Sequence, residues 1–474
     1  AVAFDNPIAA RVAARILRHG GSAADAVIAA NAVLAVVEPM NSGVGGDLFA
    51  IIYEPGRGKV VGLNGSGPLG SISLKTMRRE LAKRKKDENS IPQYGTLAAT
   101  TVPGTVSAWC ALHERYGKLP WIDLFQPAIS LAMQGFNVSL HTWRNWNHVD
   151  RAGYTIAARE LTVQQYLDFM SVFAPGGTAP LPGEFMRNPA LGRTLSMIAQ
   201  GGCEAFYTGA IAEEIAAYMQ SIGGYLTADD LARYWRGGGA TLTEWVTPIC
   251  TTYRQQYQVH GIPGNTQALP GLQILAVLDQ YDPAYLAQNP VHRTFLLTSL
   301  KRLVYIYDRA VSVGDGPVPV SQGSGECESN GASIPRYLRG LTTESTEKAE
   351  RSGDTNSFLV RDNTGLVIST LQSIGYAFGS FITAPDLGFA FHNRGCKYTL
   401  LDSTDHPNAF LTGRRGFHTL TPWMVTSAST GLPYLAVAMK GGDRQPQAFV
   451  QVLMNLVDLQ LPLSQAMAAA RLRH

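Results

Sequence analysis

A threonine that begins a strand directly after a cleavable linker can act as a nucleophile, with its own α-amino group as general base. Thr355 has that setting: a polar run, Thr342 to Asp354, ends at Asp354 and a strand-like sequence begins at once. On pattern alone an ordinary linker threonine is the commoner explanation. A second candidate is Lys440-Gly441-Gly442-Asp443, which follows a strand-like segment and precedes a helical one. The amides of Gly441 and Gly442 in such a turn suit a phosphate or a transient oxyanion, with a plain tight turn as the competing reading. Gly43-Val44-Gly45-Gly46 sits ahead of a strand rather than a helix, the wrong setting for a dinucleotide. The sequence has no G-x-S-x-G elbow and no H-E-x-x-H, and its 10 histidines lack ligand spacing. His406-Pro407 and His418-Thr419 read as loop or core residues.

The elements that must hold these groups are legible in outline. Asn6-Pro7 opens a helix with Ile8, Val12, Ile16 and Leu17 on one face, closed by Gly20-Gly21. Ser22 and Asp25 form a capping box before Ala26–Val37, apolar all round and so expected to be buried. Leu48–Tyr53 reads as a buried strand ending in the turn Glu54-Pro55-Gly56. Thr227 and Asp230 repeat the capping-box spacing, and Leu269–Leu278 reads as a helix after a turn at Pro263-Gly264. Ser321 to Asp354 is the clearest composition shift, and within it Thr342 to Asp354 has no large apolar residue, so that stretch is expected to be an exposed linker. Beyond it, Phe358, Val360 and Leu366–Leu371 predict two strands joined by a hairpin at Asp362-Asn363-Thr364-Gly365. Pro433–Met439 predicts another strand, and Pro446 to Leu456 a helix. Helices early and strands late give an α/β or α+β class with a large mixed core.

Composition narrows the function. The chain has 474 residues, 45% hydrophobic and 16% charged, which fits several domain-sized units or one large assembly and excludes bulk disorder. A net charge of +3 is too small for a protein whose main partner is a polyanion. The basic run from Lys75 to Glu88 has no interleaved aromatic residue, so a solvated amphipathic helix around Met77, Leu81 and Ala82 is expected instead of a nucleic-acid patch. Ala23 to Val37 is shorter than the roughly 20 residues that span a bilayer, so no membrane association is expected. Five scattered cysteines, Cys110, Cys203, Cys250, Cys327 and Cys396, show no zinc spacing and no disulfide framework. Reduced thiols and a cytoplasmic location are the expectation, with a single bridged pair left open.

A series of motifs then resembles the γ-glutamyltranspeptidase family of N-terminal-nucleophile hydrolases. The series begins with Gly20-Gly21-Ser22-Ala23-Ala24-Asp25-Ala26, Val37-Glu38-Pro39 and Gly43-Val44-Gly45-Gly46-Asp47. It continues through Val102-Pro103-Gly104-Thr105-Val106, His113-Glu114-Arg115-Tyr116-Gly117 and Gly223-Gly224-Tyr225-Leu226-Thr227. Gly353-Asp354-Thr355, Phe378-Gly379-Ser380, Asn393-Arg394-Gly395, Pro407-Asn408-Ala409 and Gly441-Gly442-Asp443-Arg444-Gln445-Pro446-Gln447 complete it. Each motif is modest; their number and order are specific. The resemblance implies an α+β fold, a four-layer αββα sandwich, in a precursor that cuts itself between Asp354 and Thr355. The products would be a large subunit, 1–354, and a small one, 355–474, held as a heterodimer that can dimerise further. It implies Thr355 as nucleophile, Ser373 as the hydroxyl bonded to it, and Gly441 and Gly442 as the oxyanion pair. No metal or organic cofactor is implied, and the partner is a small-molecule acyl substrate.

The departures point to a subgroup. Glutathione-cleaving relatives hold the γ-glutamyl carboxylate with Arg and two Ser, where this chain has Asn64 and His418-Thr419. They hold the ammonium with Asn, Gln and Asp, where this chain has Gly375, Arg394 and Lys397. Two ammonium acceptors have become cations. An acyl group that is anionic but lacks the α-ammonium is therefore expected, with Arg394 and either Lys397 or His418 gripping its carboxylate. The alternative is that Arg394 and Lys397 reach solvent or pair with Asp386 or Asp402. Leu63-Asn64-Gly65-Ser66-Gly67, Arg394-Gly395 and Phe417-His418-Thr419 resemble acylases, an oxamate-type amidohydrolase, and antibiotic-pathway homologues that cleave a carbon–carbon bond. A genuine γ-glutamyl hydrolase or transpeptidase and a catalytically dead binding homologue are the other two readings.

Overall fold

The computed structural model describes residues 1–146, 160–235, 242–300, 354–402 and 405–472. Of the expected linker, Thr342 to Asp354, all but Asp354 lies outside the described residues, as does Cys327.

Local signals act where the sequence places them. The Asn6 side chain accepts the Ile8 N–H at 2.9 Å and starts helix α1 (Pro7–Arg18). Ser22 and Asp25 cap each other's backbone N–H groups at 2.8 and 3.1 Å, starting helix α2 (Ala23–Val37), whose 15 residues are all buried. A helix over Leu74–Lys83 buries Met77 and Leu81 and leaves most of its basic residues outward. Asp362 Oδ1 accepts the N–H groups of Thr364 and Leu366, closing the expected hairpin.

Ten strands form two antiparallel sheets: β1 (Val2–Phe4), β2 (Asp47–Glu54), β3 (Lys59–Gly65), β4 (Glu244–Val246), β5 (Ile249–Tyr253), β6 (Tyr257–Gly261), β7 (Asp354–Arg361), β8 (Val367–Gly375), β9 (Trp423–Ser427) and β10 (Pro433–Val437). The first sheet runs β1-β7-β8-β2-β3-β4 and the second β10-β9-β6-β5. Side chains alternate between the two faces of a strand, so each sheet has two apolar faces to cover. Phe49, Ile51, Val60, Leu371, Leu420 and Met424 pack between the sheets. Helices α1, α2, α3 (Thr105–Tyr116), α4 (Trp121–Gln134) and α5 (Pro189–Tyr207) cover the outer face of the first sheet. Helices α6 (Ala268–Leu278) and α7 (Gln445–Val457) cover the second, where Trp423 stacks on Phe449 with ring centroids 4.4 Å apart. The result is the four-layer αββα sandwich.

Cys110 of α3 and Cys203 of α5 form a disulfide across 93 residues of sequence. This corrects the expectation of reduced thiols at those two positions. Their proximity comes from helix packing, which spacing along the chain does not reveal. Cys396 carries no disulfide.

Candidate active site

Period-two alternation gathers the site on the face of the first sheet that looks toward the second. Asp47 shares that face with Phe49 and Ile51, Asn64 with Val60, and Ser373 with Leu371. Thr355 takes the opposite side of its strand from Phe358 and Val360, which enter the helical layer. Ser373 and Asp47 are direct cross-strand partners.

The pairing of β7 with β8 is interrupted where it matters. Asn356 pairs with Gln372 and Asp354 with Gly375, so Ser373 and Ile374 together stand opposite Thr355. This is a β-bulge, a device that re-aims side chains and is common beside active sites. Gly375 closes it at φ +101°, and a Cβ there would meet Asn393 Oδ1 at 1.9 Å, so no other residue fits. The Gly375 N–H donates to Ser373 Oγ at 2.9 Å. Thr355 is 1% exposed.

Arg394 reaches the bulge from a short turn, Arg394–Lys397. It is 6% exposed; its Nη2 donates to Ser373 Oγ at 3.2 Å and its Nη1 to Thr419 Oγ1 at 3.3 Å. Its Nε has no hydrogen-bond partner. Burial pulls the guanidinium below its ordinary pKa while the charges of Asp47 and Asp443 act the other way; a guanidinium stays cationic in any case. Among the described residues no carboxylate forms an ion pair with it. Asp402 instead pairs with Arg78 at 2.7 Å, and Asp386 is exposed. Lys397 is half-buried, with Nζ 6.0 Å from the centroid of the Tyr376 ring.

His418 and Asn64 are occupied inside the fold. His418 Nδ1 accepts the Leu420 N–H at 3.3 Å, which leaves the proton on Nε2 to be donated to Asp47 Oδ2 at 3.1 Å. Burial, aided by the Arg394 charge, pushes the His418 pKa down to about 3, so the ring is neutral. Asn64 donates to Asn265 Oδ1 at 2.9 Å and accepts from the N–H and hydroxyl of Ser66 at 3.1 and 2.7 Å. Asn265 in turn holds the Gly416 carbonyl at 2.7 Å and accepts the His418 N–H at 2.7 Å. Asn64 thus anchors the loop that carries His418 and Thr419, and both Asn64 and His418 wall the site. Of the expected carboxylate ligands, Arg394 is the cation that meets the bulge directly.

Asp47 is the residue that sequence reasoning passed over. Its Oδ1 accepts the N–H groups of Gly67 and Gly104 at 3.0 and 3.1 Å, and His392 Nδ1 lies 3.9 Å from Oδ2. Burial works to raise its pKa, but His392, His418 and the Gly67 N–H outweigh it and hold the carboxylate at about 2. Its signal was an acid directly after Gly43-Val44-Gly45-Gly46, a run quoted among the family motifs with no role given to Asp47. His392 and Asn265 carried no local signal at all.

Gly441 and Gly442 lie between β10 and α7 at φ +138° and +58°. Among the described residues neither N–H is donated to any group, although Gly442 is buried. Buried N–H groups without partners are rare, so this pair is available to a ligand. Gln445, just after this turn, accepts the Thr421 N–H through Oε1 at 3.0 Å, which ties the turn to the segment carrying Thr419, a partner of Arg394. Together the arrangement offers the hydroxyls of Thr355 and Ser373, a buried cation and two open amides. Among the described residues no group of side chains is disposed to hold a metal ion, and no helix is long and apolar enough to cross a membrane.

The model of the gamma-glutamyltranspeptidase family matches residues 9–474. The glutathione hydrolase-like YwrD proenzyme of Bacillus subtilis is 32% identical over 98% of this chain and 83% of its own length. The oxamate amidohydrolase proenzyme of Klebsiella pneumoniae is 31% identical over 98% and 83%. Among solved structures, cephalosporin acylase from Bacillus halodurans superposes with a TM-score of 0.82 at 32% identity, covering 99% of this chain and 82% of that one. The chain belongs to the gamma-glutamyltranspeptidase family and is an enzyme of its hydrolase and acyltransferase kind.

Proposed function

We propose that the chain is a self-processing threonine hydrolase that cleaves an amide of a small acid whose acyl part carries a negative charge but no α-ammonium. After processing, Thr355 Oγ attacks the substrate carbonyl while its freed α-amine takes the proton. Gly441 and Gly442 stabilise the oxyanion, and water or an amine releases the acyl group. The large fragment, 1–354, and the small one, 355–474, remain together because β7 and β8 are paired within a sheet that also contains β1, β2, β3 and β4.

The observation that carries this reading is Arg394: a buried cation beside Ser373, bonded to two hydroxyls, with Nε unpartnered and no ion-paired carboxylate among the described residues. An incoming carboxylate satisfies it. An ammonium about 4 Å away would be repelled by roughly 4 kcal/mol at an effective dielectric of 20. The names of two relatives, an oxamate amidohydrolase and a cephalosporin acylase, support amide cleavage.

Turnover of oxamate-type, glutaryl and γ-glutamyl amides side by side tests it. The anionic amides without the α-amino group should react on the order of 10² or more faster, and Arg394→Gln should selectively weaken them. Glutathione hydrolysis at an equal or higher rate would refute the pocket argument.

A further inference from the structure

Asp47 is a buried carboxylate whose three hydrogen-bond donors come from distant parts of the chain. Its Oδ1 accepts the N–H groups of Gly67, just past β3, and of Gly104, at the start of α3, at 3.0 and 3.1 Å. Its Oδ2 accepts Nε2–H of His418 at 3.1 Å. His418 is pinned at two further points: its backbone N–H donates to the Asn265 carbonyl at 2.7 Å, and its Nδ1 accepts the Leu420 N–H at 3.3 Å. Thr419 lies between these anchors, and its hydroxyl accepts Arg394 Nη1 at 3.3 Å. Two more contacts place Arg394 beside Asp47. The Arg394 backbone N–H donates to His392 Nδ1 at 3.3 Å, and that nitrogen is 3.9 Å from Asp47 Oδ2. Ser373, which accepts Arg394 Nη2 at 3.2 Å, is the cross-strand partner of Asp47.

We propose that Asp47 is a positioning residue for the carboxylate grip of Arg394, acting through His418 and Thr419. The inference rests on Arg394 binding the substrate carboxylate, the reading given above. Its basis is that only an acid fits position 47. Gly67, Gly104 and His418 all present donors there, the last because its Nδ1 is occupied as an acceptor. An asparagine in that place turns an NH2 group toward at least one of these donors in either orientation. With His418 unheld, the Thr419 hydroxyl loses its fixed place on the guanidinium, and Arg394 loses the geometry that a bidentate grip on a carboxylate needs. Charge acts in the opposite sense. Asp47 is an anion close to the place where a second anion binds, so removing its charge alone favours the substrate. Positioning and charge therefore predict opposite changes in KM.

The test measures kcat and KM for whichever of the glutaryl and oxamate-type amides the unmodified protein cleaves faster. Asp47→Asn should raise KM roughly 10- to 100-fold, the effect of losing one hydrogen bond to a charged group, and leave kcat within about threefold. Asp47→Asn combined with His418→Gln should recover most of that loss, because the Gln amide can present its oxygen to the new NH2 group. A merely structural role for Asp47 predicts kcat and KM worsening together, with no rescue. A KM that is unchanged or lower in Asp47→Asn, or a double variant no better than the single one, would overturn the inference. If Asp47→Asn gives no folded, processed protein, His418→Leu takes its place. It removes the Nε2 donor, leaves the Asp47 charge, and should raise KM to a similar degree; an unchanged KM there would overturn the inference equally. Arg394→Gln run alongside separates the two levels. If it leaves KM unchanged, or if the unmodified protein cleaves neither amide, the carboxylate reading fails and this inference with it. A raised KM in Arg394→Gln with a normal KM in Asp47→Asn sinks only the role of Asp47.

Discussion

At the scale of residues, the site is a small set of charges removed from water. Asp47 is anionic, Arg394 cationic, and His418 neutral with its proton on Nε2. Each state has a consequence for pH. The folded pKa of His418 is about 3 and that of His260 about 4, in both cases with burial as the main cause, against 6.5 for an ordinary histidine. Below about 6.5 the unfolded chain therefore takes up protons that the folded chain refuses. Stability is full above that pH and falls as the pH drops toward 4, by about 1.4 kcal/mol per pH unit for each such histidine. Asp47 acts in the same direction at lower pH: its contribution is present above its ordinary value of 3.8 and is lost as the pH falls through about 2. A thermal melt series from about pH 7.5 to 4.5 should show Tm falling with pH, with a shallower slope in His260→Gln. A flat series, or an unchanged slope in the variant, contradicts these assignments.

At the scale of elements, two long-range pairings hold the site in register. One is the bulge, where Gly375 and the Ser373 hydroxyl lock two residues of β8 opposite Thr355. The other is the Cys110–Cys203 bond, which ties α3 to α5 on the outer face of the first sheet. A cross-link closing so long a loop limits the unfolded chain, and losing one typically costs about 2–5 kcal/mol. Cys203→Ser, or incubation with reductant, should lower the denaturant midpoint by a corresponding amount. An unchanged midpoint in both would show that the bond contributes nothing.

These same elements mark what a sequence can convey. The capping box of Ser22 and Asp25, the hairpin at Asp362 and the strand after Asp354 are local: donor, acceptor and turn residues sit within four positions of one another. Gly441 and Gly442 were legible as a turn, and the oxyanion role was given them by resemblance alone. The bulge, the disulfide, and the bonds of Asp47 to His418 and of Asn64 to Asn265 join residues 18 to 371 positions apart. Nothing in the spacing of either partner encodes them. His418 shows the difference best. A histidine at a substrate-binding position reads as a ligand, and only the fold reveals that both its ring nitrogens are already engaged.

At the scale of the whole molecule, the sandwich places the candidate nucleophile within its first sheet, with strands before and after it in the chain as neighbours. Strand β7 lies between β1, which pairs with Phe358–Val360, and β8, so a cut at its start leaves the strand itself held on both sides. Such a frame permits a chain to be severed at one strand end without losing its core, which the proposed maturation requires. The account stands or falls on that cut. Purified full chain should run on a denaturing gel as two fragments of roughly three quarters and one quarter of its length, and N-terminal sequencing of the smaller should begin Thr-Asn-Ser, while Thr355→Ala gives one uncut band. A Thr355→Ala protein that still splits at the same bond would contradict it.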